Sequence, residues 1–166
     1  MRHHLDRRQT LLALLASGTA LAGCDARDPA PQFSYTLLDG QKGSSQALRG
    51  KVLLVNFWAT SCTTCVAEMP EIVATHQKFK ARGYDTLAVA MSYDPPAYVA
   101  NFAQSRALPF GVVIDNTGAI ANGFGDVQLT PTTFLIDKRG QIVKRYVGTP
   151  DFAALHKLVD KLLAEA

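Results

Sequence analysis

Lys51-Val-Leu-Leu-Val-Asn-Phe-Trp-Ala-Thr-Ser-Cys-Thr-Thr-Cys-Val-Ala-Glu-Met-Pro70 is the stretch that decides the fold. Val52 to Phe57 is apolar, partly β-branched and too short for a buried helix, so it reads as an interior strand. The period then turns helical, and Thr60 or Ser61 stands where a helix N-cap belongs. That places Cys62 in the first turn and Cys65 three residues further in. Orphan N–H groups and the positive end of the helix dipole favour a thiolate at Cys62, and the thiolate is the reactive form of the side chain. Cys65, one turn on and turned inward, lies within reach of a disulfide.

Upstream, the 166-residue chain has room for one domain, and residues 1–23 stand outside it. Arg2, His3, His4, Arg7 and Arg8 make a basic start, and Leu11 to Leu21 is apolar but too short to span a bilayer comfortably. This is the anatomy of an export signal. It ends in Leu21-Ala22-Gly23-Cys24, which resembles the bacterial lipobox and marks Cys24 for diacylglycerol modification. Arg7-Arg8 leaves both the general and the twin-arginine export routes open. Residues 24–32, polar and proline-bearing, read as a tether, and 33–166 as the domain. The formal charge is +3, and loss of the signal brings it to about +1 because Arg2, Arg7, Arg8 and Asp6 leave with it. No basic patch remains to argue for nucleic acid. Three cysteines, one of them a candidate lipid site and two spaced Cys-x-x-Cys, point to redox chemistry instead of a disulfide framework.

Downstream, the active-site helix is expected to run to about Arg82 and stop at Gly83, with a kink at Pro70. Phe33 to Leu38 reads as a strand, Asp39-Gly40 as its turn and Gln41 to Ser45 as a loose polar segment. Tyr84 to Ser92 reads as an interior parallel strand. Asp94-Pro95-Pro96 opens a helix whose buried stripe is Tyr98, Val99, Phe102 and Ala103. Short strands follow at Gly111 to Asp115 and Thr132 to Asp137, with one or two helical turns from Ala119 to Phe124 between them. Gln141 to Val147 returns antiparallel, and Asp151 opens a terminal helix with Phe152, Leu155, Leu158, Val159 and Leu162 inside. The fold class is α/β: a three-layer sandwich around a mixed sheet.

The order strand, Cys-x-x-Cys helix, strand, helix, strand, then Thr130-Pro-Thr-Thr-Phe-Leu-Ile-Asp137, hairpin and helix resembles the thioredoxin superfamily. Gly50-Lys-Val-Leu-Leu-Val-Asn-Phe-Trp-Ala-Thr60, with Glu68-Met-Pro70 after the cysteines, narrows the likeness to the TlpA/ResA-like membrane-anchored thiol–disulfide oxidoreductases. It covers residues 33–166, including an N-terminal β extension and an insertion around 95–125. The resemblance implies that Cys62 attacks and Cys65 resolves. It makes Pro131 a cis-proline facing the disulfide, gives Thr130 backbone to an incoming peptide, and sets Trp58 beside the site as a substrate-binding aromatic. It also implies that Glu68 moves protons at the buried thiol, consistent with its place three residues after Cys65 on one helical face. No cofactor beyond the redox-active Cys62–Cys65 pair and no metal is called for. The implied partners are exported disulfide substrates, such as apocytochrome c haem-site or copper-site cysteines, and a membrane thiol donor. The implied place is the periplasmic side of a membrane.

Three departures bear on redox poise. Ser61 replaces the aromatic common before the first cysteine, Thr63-Thr64 lacks the proline often found there, and Asn56 stands where thioredoxin has a buried acid. Hydroxyls at 61, 63 and 64 that bond to sulfur would raise the potential. The same site therefore also fits a disulfide oxidase or isomerase. A peroxiredoxin-like enzyme is disfavoured by Ala59, where its threonine belongs. A metallochaperone-type module would need a second cysteine pair, and His76 and His156 read as surface or packing residues.

Overall fold

The computed structural model describes residues 27–165, so the expected export signal and Cys24 lie outside the described residues. Among the described residues, seven strands and four α-helices form around a five-stranded sheet. Its middle strand is β3 (Val52–Trp58), with all seven residues buried, as the apolar run requires. Beside it, β4 (Tyr84–Ala90) and β5 (Gly111–Ile114) run parallel on one side. On the other side β6 (Thr132–Ile136) and β7 (Ile142–Val147) are antiparallel, so the sheet is mixed, in the order β5-β4-β3-β6-β7.

Alternation along β3 sends successive side chains to opposite faces. On one face Val52, Leu54 and Trp58 pack with α1 (Thr63–Phe79), α2 (Pro96–Ser105) and α4 (Phe152–Ala164) through Cys65, Met69, Ile72, Phe79, Val99, Leu155, Val159 and Leu162. On the other, Leu53, Val55 and Phe57 meet α3 (Ala119–Gly123), Phe124 and the N-terminal residues Phe33, Tyr35 and Leu37. Each fully buried aliphatic or aromatic side chain contributes about 1.5–3 kcal/mol, so these two clusters hold the sandwich together. Among the described residues no helix is long and apolar enough to cross a membrane.

The chain departs from its sequence-level reading in three places. Gln41 to Ser45 is not a loose segment: β2 (Lys42–Ser44) pairs antiparallel with β1 (Ser34–Thr36). Its polar residues carry no strand signal, but Gly43 lets the Tyr35 ring lie on the ribbon, where any Cβ would collide with it. The stretch from Arg27 onward, expected to be part of a tether over 24–32, is bonded to the β6–β7 turn. Tyr98 is 65% exposed, since Val99 alone of the α2 residues is fully buried and Phe102 and Ala103 complete the inner stripe. The helix α1 passes through Pro70 and ends in a 3-10 turn that Gly83 closes in the left-handed region (φ 93°).

His76 and His156 are packing residues. The His76 ring meets Phe110 and Tyr84, and the His156 ring meets Phe79 and bonds Thr75 Oγ1 at 2.8 Å. Burial lowers the pKa of His76, aided by Lys80 and Lys51 and opposed by Asp85. Its Nδ1 is buried without a partner. A histidine held below its unfolded value stabilises the fold above about pH 6.5 and loses that contribution as pH falls through the folded pKa. The histidine contribution to thermal stability is therefore expected to drop between pH 7 and pH 5, against the opposite trend from the buried Glu68. His76→Leu should flatten much of that drop, while the half-buried His156 leaves a smaller part of it; calorimetry across the window checks both.

Candidate active site

The end of β3 delivers the chain into a tight loop and then α1. Thr60 is held there by Asp94, a buried carboxylate from the segment after β4. Asp94 accepts from the Thr60 N–H at 2.6 Å and from its hydroxyl at 2.5 Å. Thr60 is thus committed to another partner and does not cap the helix, and Ser61 is exposed. The cap is Cys62 itself: its Sγ accepts from the Cys65 N–H at 3.2 Å. That bond places Cys62 sulfur among the orphan donors of the first turn, a setting that favours its thiolate when the pair is reduced. Asp94, expected to open α2, leaves that cap to Pro95 and serves the active-site loop instead.

Asp94→Ala removes two short charge-assisted bonds and leaves Thr60 N–H without an acceptor. The expected loss is about 3 kcal/mol, read from urea unfolding of the oxidised protein.

Cys62 and Cys65 form a disulfide, with Cα atoms 5.2 Å apart. The two are unequal. Cys62 is half-buried at the surface, whereas Cys65 is 0% exposed and packs in the cluster that holds Trp58 and Met69. An incoming thiolate can reach only the first. Side chains of Ser61, Thr63 and Thr64 are exposed, and the hydrogen bond to sulfur comes from backbone instead.

Glu68, on the face of α1 turned to the sheet, is 3% exposed. Asn56 of β3 donates through Nδ2 to Glu68 Oε1 at 3.1 Å and to Thr133 Oγ1 of β6 at 2.9 Å. Glu68 Oε2 is buried with no partner in hydrogen-bonding geometry. Burial raises the Glu68 pKa above the ordinary carboxylate value; the Thr149 and Asn56 side chains oppose it. A carboxyl so placed, one helical turn from Cys65, keeps its proton to a higher pH than an exposed glutamate does.

The Thr130–Pro131 peptide bond is cis, at the start of β6 beside the end of β3. Thr130 is half-buried, and its hydroxyl lies 3.5 Å from the Tyr93 hydroxyl. Trp58 does not offer a surface to a substrate. It is 0% exposed and its ring meets Phe102 in a tilted contact at 5.1 Å, so its place is beneath the site, in the packing that supports Cys65. The exposed apolar residues here are others: Tyr93, Leu129 and Tyr98. Tyr98 lines a groove with Thr60, Ser61, Asn101, Phe102 and Ser105. Sequence reading missed Asp94, which only tertiary contact brings to the disulfide loop, and Tyr93 and Leu129, which lie against or beside Thr130.

Comparison with known proteins agrees with this geometry. Residues 25–159 match the Redoxin family profile. The thiol-disulfide oxidoreductase ResA of Bacillus thuringiensis subsp. konkukian (strain 97-27) is 35% identical over 133 residues, covering 80% of this chain and 76% of that protein. ResA of Bacillus subtilis (strain 168) is 34% identical over 127 residues, covering 76% and 70%. Among solved structures, a thioredoxin-class protein from Neisseria meningitidis superposes with TM-score 0.78 and 41% identity, over 84% of this chain and 93% of that one. A thiol:disulfide interchange protein from Chlorobium tepidum TLS gives 0.76 and 29%, over 83% and 97%. With its thioredoxin-like sandwich and its Cys62–Cys65 disulfide, the chain belongs to the redoxin family and is a ResA-like thiol–disulfide oxidoreductase.

Proposed function

We propose that the protein is exported, acylated at Cys24, and works at the outer face of the membrane as a reductant of disulfides in exported proteins. The observation that carries the direction of electron flow is the buried Glu68 carboxylate one turn from the buried Cys65. A negative charge there disfavours a thiolate, so the reduced pair gives up its electrons more readily. The exposed hydroxyls of Ser61, Thr63 and Thr64 supply no bond that would pull the potential the other way. The observation behind the anchor is Leu21-Ala22-Gly23-Cys24 directly after a basic start and an apolar run.

Reduction proceeds by attack of the Cys62 thiolate on a substrate disulfide. A mixed disulfide forms, and one substrate thiolate leaves. Cys65 then attacks Cys62 Sγ, releases the second substrate thiolate and closes the internal disulfide. Glu68 accepts the Cys65 proton in that second step, and Thr130 with Pro131 lines the approach. Haem-site or copper-site cysteines are substrates of the right kind, and a membrane thiol donor returns the pair to its reduced form. The test is the reduction potential of the Cys62–Cys65 couple, equilibrated against glutathione and dithiothreitol. A value near about −270 mV or below supports the reductant; a value near about −120 mV makes the protein an oxidant and overturns the reading.

A further inference from the structure

The end of the sheet opposite the disulfide is where the chain enters the domain. Ile142 N–H donates to the Asp28 carbonyl at 2.8 Å, Ala30 N–H donates to the Gly140 carbonyl at 2.9 Å, and Pro29 bridges Gln141. Arg27 pairs with Asp137 at 3.3 Å. Gly50 N–H donates to the Lys138 carbonyl at 2.9 Å, so β3 starts at this same end. It runs from there to Trp58, and Cys62 follows beyond. At about 3.3 Å per strand residue, the disulfide stands roughly 25 Å from the point of entry.

Cys24 precedes Asp28 by four peptide steps, at most about 14 Å of chain when fully extended. That is shorter than the domain is long. Resting on the reading that Cys24 is acylated, we propose that the β6–β7 end of the domain is held against the membrane surface and the Cys62–Cys65 disulfide is kept off the headgroup level. Its partners are then proteins that carry their cysteines well clear of the bilayer, on extramembrane segments, and the thiol donor presents its own pair at that height. Charge contributes little to this arrangement. Arg27, Arg49, Lys51, Lys138 and Arg139 gather at this end, but Asp28, Asp85, Asp137 and Glu165 nearly balance them. The short connection sets the orientation.

The test compares the full acylated chain with one carrying a Gly-Ser spacer of about twelve residues between Ala26 and Arg27, whose root-mean-square span is roughly 20 Å. Both are placed in phosphatidylcholine liposomes containing phosphatidylthioethanol, whose thiol is confined to headgroup level. One lipid thiolate attacks Cys62 Sγ, and a second displaces the Cys62 thiolate from the mixed disulfide. Two lipid thiols become one lipid disulfide while Cys62–Cys65 is reduced. The spacer chain is expected to be reduced at least about tenfold faster, because its disulfide gains the effective concentration that the native connection denies. Soluble dithiothreitol should reduce both chains alike. Equal rates with the lipid thiol overturn the proposal. The mass of the mature N-terminus, read on the same samples, separates the two failures. Unmodified Cys24 overturns the anchoring reading and this proposal with it; acylated Cys24 with equal rates overturns this proposal alone.

Discussion

Cys65→Ala is expected to trap the enzyme on its substrate. With the buried thiol gone, the Cys62 thiolate still attacks, but nothing inside the protein can break the mixed disulfide that results. Incubated with a disulfide-bonded peptide, the variant should shift almost wholly to a peptide adduct that dithiothreitol releases, and its turnover should fall by about a thousandfold or more. Cys62→Ala should lose turnover as completely and form no adduct, because Cys65 is 0% exposed and no substrate sulfur can reach it. Intact-protein mass spectrometry distinguishes the two outcomes. Comparable adducts on both variants would mean that the site opens enough to expose Cys65, and the division of labour between the cysteines would fall.

That asymmetry was partly legible in the chain. The apolar run before the cysteines and the helical period after them put one sulfur at a helix start and the other one turn in, and the structure keeps both positions. What sequence pattern could not supply was competition for partners. Thr60 and Ser61 are both good caps by residue type, yet Thr60 is claimed by Asp94, 34 positions away, and the cap passes to Cys62. Asp94 in turn looks like a helix opener beside two prolines, and only the packing of the segment after β4 against the active-site loop reveals its use. Trp58 sits in the same gap between pattern and packing. The family resemblance placed it at the site as a substrate-binding aromatic, but strand alternation turns it into the α1–α2 side of the sheet, where it is buried. Tyr98 shows the converse error: helical spacing counted it with the inner stripe, and one residue's rotation leaves it facing the groove beside Ser61. Periodicity accounts for the five-stranded sheet and the helices packed on it. It does not settle the residues at the margin of a buried face, and those are the residues that meet a substrate.

The buried carboxylate beneath the site makes the second large prediction. Glu68→Gln keeps the side chain's shape and its bond with Asn56 but can no longer take a proton. General-base assistance is worth about a hundredfold or more, so the rate at which Cys65 resolves the mixed disulfide is expected to fall by that order at neutral pH. In the native enzyme the resolving rate should rise with pH through the elevated Glu68 pKa, because only the ionised carboxylate accepts a proton. In the variant that rise should vanish, leaving the titration of the Cys65 thiol alone. Rapid-mixing kinetics with a preformed mixed disulfide isolates this step. Stability should move the other way. A carboxyl whose folded pKa is raised stabilises the fold fully below its unfolded value and loses that contribution as pH rises through the folded one. Above its folded pKa the native protein therefore carries the burden of a buried charge that a neutral amide lacks, and there the variant should melt no lower than the native protein. A slow, stable Glu68→Gln enzyme that has lost the carboxylate rise and keeps only the thiol titration places the proton transfer at this carboxylate. An unchanged profile would remove Glu68 from the chemistry and leave it a buried acid with a purely electrostatic influence on the pair.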